Sequence, residues 1–113
     1  NAGNSQNYNA VNILGGYAPE TLRVHAEILE FIKAMNQYNK IIGAICHAGW
    51  VIASANIIQE KKLTCYAAIK DDMTNAGAIY LDEKVVKDGN LITSRTPDDL
   101  PYFCREIIHA LAE

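Results

Sequence analysis

Cys46 and His47 stand side by side in the stretch K-I-I-G-A-I-C-H-A-G-W at 40–50. Residues 40–45 read as a buried strand, and the thiol and imidazole follow with no polar loop between. Three effects act on a cysteine at a strand-to-helix junction. Unpaired N–H groups and the helix dipole favour thiolate over thiol, the sharp turn exposes the sulfur, and the same N–H groups can hold an oxyanion. The pattern G-A-I-C-H-A-G is close in design to the G-x-S-x-G nucleophile elbow, with sulfur replacing the hydroxyl and the base placed next door. His47 is the candidate general base or acid. Neighbouring helical side chains diverge by about 100°, so a third group has to orient the ring. Glu20, in G-G-Y-A-P-E at another strand–loop junction, is the best carboxylate on offer. An inert buried thiol competes with this explanation for any cysteine in an apolar stretch, and from the pattern alone both stay open.

The remaining reactive residue types carry plainer expectations. Cys65 in a strand context and Cys104 beside the core face of the last helix are predicted to be buried thiols, and His25 and His109 to lie on the surface or on helix faces. Asp71-Asp72 and Asp98-Asp99 read as solvated or capping charges, because no histidine lies at ligand spacing for a metal site. Gly15-Gly16 lacks the further glycines or lysine of a phosphate loop, which leaves a tight turn as its explanation. No metal and no cofactor are expected.

The elements that must position these residues alternate. Asn-rich residues 1–9 read as a loop, and A-V-N-I-L from Ala10 as a short strand stopped by Gly15-Gly16. Pro19 predicts a helix start, with Leu22, Ile28, Leu29, Ile32 and Met35 near a 3.6-residue period and Asn36–Asn39 as its end. Strand 40–45 passes into a helix reaching about residue 56. K-K-L-T-C-Y at 61–66 predicts a third strand, I-K-D-D-M-T-N-A-G a short helix ended by Gly77, and A-I-Y-L another strand. V-V-K and L-I-T-S flank Asp88-Gly89-Asn90, the mark of a hairpin, expected here as an antiparallel appendage. Thr96-Pro97-Asp98-Asp99 is a capping-box variant opening a last helix with Leu100, Phe103, Ile107, Ile108 and Leu111 on one face. The alternation predicts an α/β domain with a mostly parallel sheet covered on both faces.

The totals narrow the function. The 113 residues make one domain, half hydrophobic and a fifth charged, with a globular composition. No apolar run approaches the roughly 20 residues that span a bilayer, and no export signal is visible. Three scattered cysteines make no C-x-x-C pair, which argues against a disulfide framework and for a reducing cytoplasm. A net charge of −3 with dispersed Lys and Arg predicts neither nucleic acid nor a membrane surface as partner.

Four motifs in order, I-L-G-G-Y-A-P-E-x-L-R, A-I-C-H-A-G-W, K-L-T-C-Y-A-A-I-K-D-D-M-T-N-A-G-A and D-G-N-L-I-T-S-R-T-P-D-D-L-P, resemble the PfpI intracellular protease family of the ThiJ/PfpI superfamily. The resemblance covers nearly the whole chain, from about Tyr8. It implies a flavodoxin-like three-layer sandwich with Cys46 as nucleophile at the elbow and His47 as its base. Glu20 matches the position whose carboxylate reaches a neighbouring subunit's site, which implies a homo-oligomer with active sites at its interfaces. Backbone N–H groups around Gly16 and His47 would hold the oxyanion, and Tyr66, with Tyr17, would line the substrate pocket. The family's N-terminal βαβ unit, with its central strand and a glutamate bonded to the cysteine, has no counterpart in residues 1–113. The chain therefore reads as the C-terminal portion of a single PfpI-like domain, with the missing unit expected on a second chain or segment. Asn9, where the family usually carries aspartate, and Asn12, inside an apolar strand, depart from the pattern.

The family is variously assigned to peptidases, glyoxalase-like lyases and deglycases that remove methylglyoxal or glyoxal adducts. The expectation is accordingly a Cys-dependent hydrolase or lyase forming a covalent thiol adduct on a carbonyl. The alternative is a non-enzymatic stress-response or redox-sensing protein that oxidises Cys46 reversibly.

Overall fold

The computed structural model describes residues 8–13 and 25–113. Gly15-Gly16, Tyr17, Pro19 and Glu20, with the expectations attached to them, lie outside the described residues. Four strands form the main sheet in the order β1-β2-β6-β5: β1 Ala10–Ile13, β2 Ile41–Ile45, β5 Val85–Asp88 and β6 Leu91–Ser94. β1 runs parallel to β2 and β2 parallel to β6, and only β5 is antiparallel to its neighbour. A parallel two-stranded ribbon, β3 Lys62–Leu63 and β4 Ile79–Tyr80, stands beside it. The helices are α1 Ala26–Gln37, α2 Gly49–Ser54, α3 Lys70–Asn75 and α4 Leu100–Ala112, with single 3₁₀ turns at Cys46–Ala48, Ala67–Ile69 and Pro97–Asp99.

The sheet is covered on both faces, as a mostly parallel sheet must be. Alternation along β2 assigns the faces. Ile42 and Ala44 join the larger core with Ile13, Ile32 and Met35 of α1, Val51 and Ile52 of α2, and Leu63. Ile41 and Ile45 face the other way, onto Ile92, Phe103 and Ile107 beneath α4. Each fully buried Ile, Leu or Phe contributes roughly 1.5–3 kcal/mol from burial, so both helical layers are held mainly by this β2 alternation. Gly43 has no side chain because a Cβ there would lie 2.7 Å from Asn12 Oδ1, 2.9 Å from Phe103 Cζ and 3.0 Å from Ile107 Cδ1. Asn12 is thereby explained: it is exposed on the α4 side of β1, in register with Gly43, and its amide lies over the room the glycine leaves.

Several expectations need correction. Of the helix predicted from Pro19, the described part runs Ala26–Gln37 and is preceded by His25 in an extended conformation (φ −95°, ψ 109°), which interrupts the predicted continuous run at that residue. The third strand is confined to Lys62–Leu63, not 61–66. The hairpin is no appendage. β6 lies inside the sheet, bonded to the elbow strand, and Gly89 (φ 62°) makes the turn that puts it there. Asn90 is buried and fixes the placement by donating to Asn36 Oδ1 (3.0 Å) and to the carbonyl of Lys40 (2.8 Å), while its own carbonyl accepts the N–H of Ile42 (2.8 Å). On α4 the buried residues are Phe103, Ile107 and Ala110, whereas Leu100, Ile108, Leu111 and Cys104 are exposed. The predicted single apolar face is two stripes, of which only Phe103, Ile107 and Ala110 pack against the sheet residues Ile45 and Ile92.

Candidate active site

β2 delivers Cys46 to the carboxyl end of the sheet. Ile45 is extended (φ −127°, ψ 146°), Cys46 adopts φ 59°, and the chain turns at once into the 3₁₀ turn and α2. A non-glycine residue in this region is strained by roughly 1–3 kcal/mol and persists only where its surroundings over-determine it. Here β1 and β6 clamp β2 from both sides, and the Cys46 carbonyl accepts the N–H of Tyr66 (3.3 Å). The strained turn is the geometry that the motif G-A-I-C-H-A-G predicts.

The sulfur's surroundings differ from expectation. Cys46 is 9% exposed and packs with Ile45, Ile92 and Phe103. Burial, and after it the negative charge of Asp99, push its pKa above the ordinary thiol value. Both causes act against the thiolate preference expected from the junction.

Asp99 is itself buried, at 4% exposure, and is no solvated charge. It receives the backbone N–H of Arg95 (3.2 Å) and the Arg95 Nε (3.0 Å) on Oδ2, and Nη2 (3.2 Å) on Oδ1, while Arg95 Nη1 bonds Asp82 (3.1 Å). The Arg95 hydrogen bonds hold the Asp99 carboxyl below its usual value. The side chain thus reaches back across the start of the last helical segment as the acidic member of a capping box does, but with the arginine as main partner. Next to Arg95, the fully buried Ser94 hydroxyl has no hydrogen-bond partner among the described residues.

The His47 ring contacts two aromatic residues. Its centroid is 4.7 Å from the Tyr66 ring, tilted by 33°, and 5.2 Å from Trp50, edge-on at 60°. Trp50 Nε1 donates to Asp72 Oδ2 at 2.8 Å. The structure therefore brings Cys46, His47 and Tyr66 together. The sequence reading missed Trp50 and Asp72, although the i, i+3 spacing of His47 and Trp50 was a usable signal. Cys65 is buried as predicted, Cys104 is exposed contrary to prediction, and His25 and His109 are exposed. No cluster able to hold a metal ion is present among the described residues.

The DJ-1/PfpI family profile matches residues 2–110. The chain belongs to the DJ-1/PfpI family. It is 38% identical to a protein of Pyrococcus abyssi named as a deglycase, with 96% of this chain and 65% of that protein covered. It is 40% identical to a Bacillus subtilis protein provisionally named as a cysteine protease, over 95% of this chain and 63% of that one. Among solved structures, the DJ-1/ThiJ/PfpI-like and ferritin-like two-domain protein of Anabaena variabilis superposes with a TM-score of 0.94 at 40% identity, covering 96% of this chain and 31% of that one. The chain spans just under two thirds of the length of these curated relatives. No helix among the described residues is long and apolar enough to cross a membrane.

Proposed function

We propose that this DJ-1/PfpI chain carries the nucleophile of a cysteine enzyme acting on carbonyl carbon. The observation that carries the reading is Cys46 held at φ 59° between the end of β2 and His47. The relatives' deglycase and cysteine-protease names supply two candidate substrates, aldehyde adducts of amines and peptide amides. With the Cys46 thiol pushed up by burial, the role that fits His47 is general base during attack. The Cys46 S–H proton passes to His47 as sulfur bonds to the carbonyl carbon and the C=O π pair moves to oxygen. With an amide, the proton leaves on the amine and water hydrolyses the thioester. With an aldehyde adduct of an amine, sulfur replaces nitrogen on the adduct carbon, His47 returns the proton to the departing amine, and the resulting hemithioacetal reverts to free aldehyde and thiol. Backbone N–H groups near His47 and Gly16 receive the oxyanion, Tyr66 and Tyr17 line the pocket, and Glu20 from a neighbouring subunit orients His47.

The redox-sensing alternative calls for an accessible thiol of low pKa, and the buried, proton-retaining Cys46 disfavours it. The partner proposal accompanies the enzyme: a homo-oligomer, and a further segment supplying a βαβ unit. Two observations support the second part. β1 pairs only with β2 among the described residues, and Leu100, Cys104, Ile108 and Leu111 of α4 are exposed. Mass spectrometry and sizing of the purified protein test it, and a monomeric 12.5 kDa species that folds and turns over substrate would refute it.

The decisive experiment compares the whole protein with its Cys46→Ser and Glu20→Gln variants on methylglyoxal, a methylglyoxal-modified amine and a fluorogenic peptide. Loss of turnover in Cys46→Ser is expected on whichever substrate the wild type accepts. Turnover retained in that variant removes Cys46 as nucleophile.

A further inference from the structure

The indole of Trp50 and the carboxylate of Asp72 lie outside every role assigned so far, yet they meet beside the His47 ring. Trp50 follows His47 by three residues, and side chains at that spacing share a helix face. Its ring contacts the imidazole edge-on at 5.2 Å, while Tyr66 contacts it at 4.7 Å, both within the range of paired aromatic rings. Each flanking ring has its own anchor. The Tyr66 backbone is tied to the elbow through the Cys46 carbonyl, and Trp50 is tied to α3 by the 2.8 Å bond from Nε1 to Asp72. A hydrogen bond to an ionised carboxylate is among the stronger ones, and an indole bonded through its single N–H keeps only a narrow range of orientations.

The distance between α2 and α3 makes that bond possible. Gly49, immediately before Trp50, faces Met73, immediately after Asp72. A Cβ at Gly49 would come 2.9 Å from Met73 Cε, 3.0 Å from Met73 Sδ and 3.1 Å from Ile69 Cδ1. The two helices thus approach to glycine distance at the point where the indole meets the carboxylate. Asp72 is exposed, as expected of a solvated or capping charge, and accepts the Trp50 N–H from that position.

We propose that Trp50, anchored by Asp72, closes with Tyr66 an aromatic clamp that positions the His47 ring for proton exchange with Cys46. Trp50 and Asp72 are then positioning residues, and the claim about turnover rests on the cysteine-enzyme reading above. The clamp orients the ring through rigid neighbours. It also places the tilted ring of Tyr66 beside the imidazolium that forms when His47 takes the thiol proton, an interaction the face of an aromatic ring provides to cations.

The test uses the whole protein with Asp72→Ala, Asp72→Asn and Trp50→Phe. The first readout is the NMR spectrum of the His47 ring protons, which is independent of turnover and can also be recorded in a Cys46→Ser background. In the parent protein these protons are expected upfield of those of His25 and His109, with cross-peaks to the Trp50 indole. Asp72→Ala and Trp50→Phe should weaken both signatures, and Asp72→Asn, which keeps an acceptor oxygen, should restore them. The second readout is steady-state kinetics. kcat should fall about tenfold in Asp72→Ala and Trp50→Phe with KM held within about twofold, because misplacing a reacting group costs rate more than binding. Unchanged ring signals in both disrupting variants overturn the clamp. Altered ring signals with unchanged kcat overturn its positioning role. A parent enzyme whose turnover survives Cys46→Ser refutes the catalytic reading, while the ring signals still decide whether the clamp exists. If Asp72→Ala does not fold, Trp50→Phe alone decides between these outcomes.

Discussion

Cys46 and Cys65 are both buried, and in both thiols burial is the first cause of a raised pKa, with a nearby aspartate as the second. Cys65, 1% exposed and affected by Asp72, is pushed up to about 11. Cys46 is affected by Asp99 and sits at a strained φ of 59°, with an imidazole as its next residue. Low dielectric therefore does not distinguish the proposed nucleophile, Cys46, from Cys65. The distinction lies in the backbone turn and in the neighbour that can take a proton. The sharpest way to break the comparison is to exchange the losses. Cys46→Ala should abolish both turnover and the reaction of the active-site thiol with iodoacetamide, and Cys65→Ala should leave both in place. Equal loss in the two variants would mean that burial, not the elbow, sets reactivity.

The second prediction separates the thiols by stability. Cys65 releases its proton near 9.0 when unfolded and near 11 when folded, so its contribution is intact below pH 9 and is lost as pH rises through about 11. A shift of this size amounts to about 3 kcal/mol by the top of the window. Urea titrations of wild type and Cys65→Ala at pH 8 and pH 11 should show a steeper alkaline loss in the wild type. Parallel losses would place the proton-retaining thiol elsewhere.

Next in size is the support under the elbow. Gly43→Ala adds a methyl against Asn12 Oδ1, Phe103 and Ile107, and overpacking of this kind costs about 1–3 kcal/mol. Asn12→Ala in the same chain should recover part of the loss, because it removes the nearest of the three atoms. No recovery would show that Phe103 and Ile107, on the α4 side, carry the whole cost.

How much of this was legible depends on which interactions are local. The elbow could be read because a strand period, a cysteine and an apolar helix follow one another in eleven residues, and the hairpin could be read because Gly89 has to supply a positive φ. The position of that hairpin could not. It depends on Asn90 reaching Asn36 and Lys40, more than fifty positions apart in sequence for Asn36, and such pairings leave no periodic mark. Trp50 with Asp72, on two different helices, left no periodic mark either. Asp99 was legible as a solvated or capping charge, but its burial and its paired bonds to Arg95 show only in the fold. Cys104 was misplaced because the stripe formed by Leu100, Ile108 and Leu111 has the same apolar period as a core face, and only packing shows that Phe103, Ile107 and Ala110 take the sheet.

The smallest predicted effect is the most discriminating, because it has opposite signs in the two halves of one ion pair. Asp99 raises the Cys46 pKa through its negative charge, and Arg95 partly neutralises that charge. Asp99→Asn removes the charge and leaves the arginine, so the thiol should release its proton at lower pH and react with iodoacetamide a few-fold faster at pH 8 than in the wild type. Arg95→Gln leaves the Asp99 carboxylate without its main partner, so the same reaction should slow. Both variants weaken the Arg95–Asp99 side-chain hydrogen bonds, and each loses about 1–3 kcal/mol of stability for them. A loosened fold would speed alkylation in both alike, so only the electrostatic account gives acceleration in one and retardation in the other. Two rates that move in the same direction would assign the raised pKa of Cys46 to burial alone.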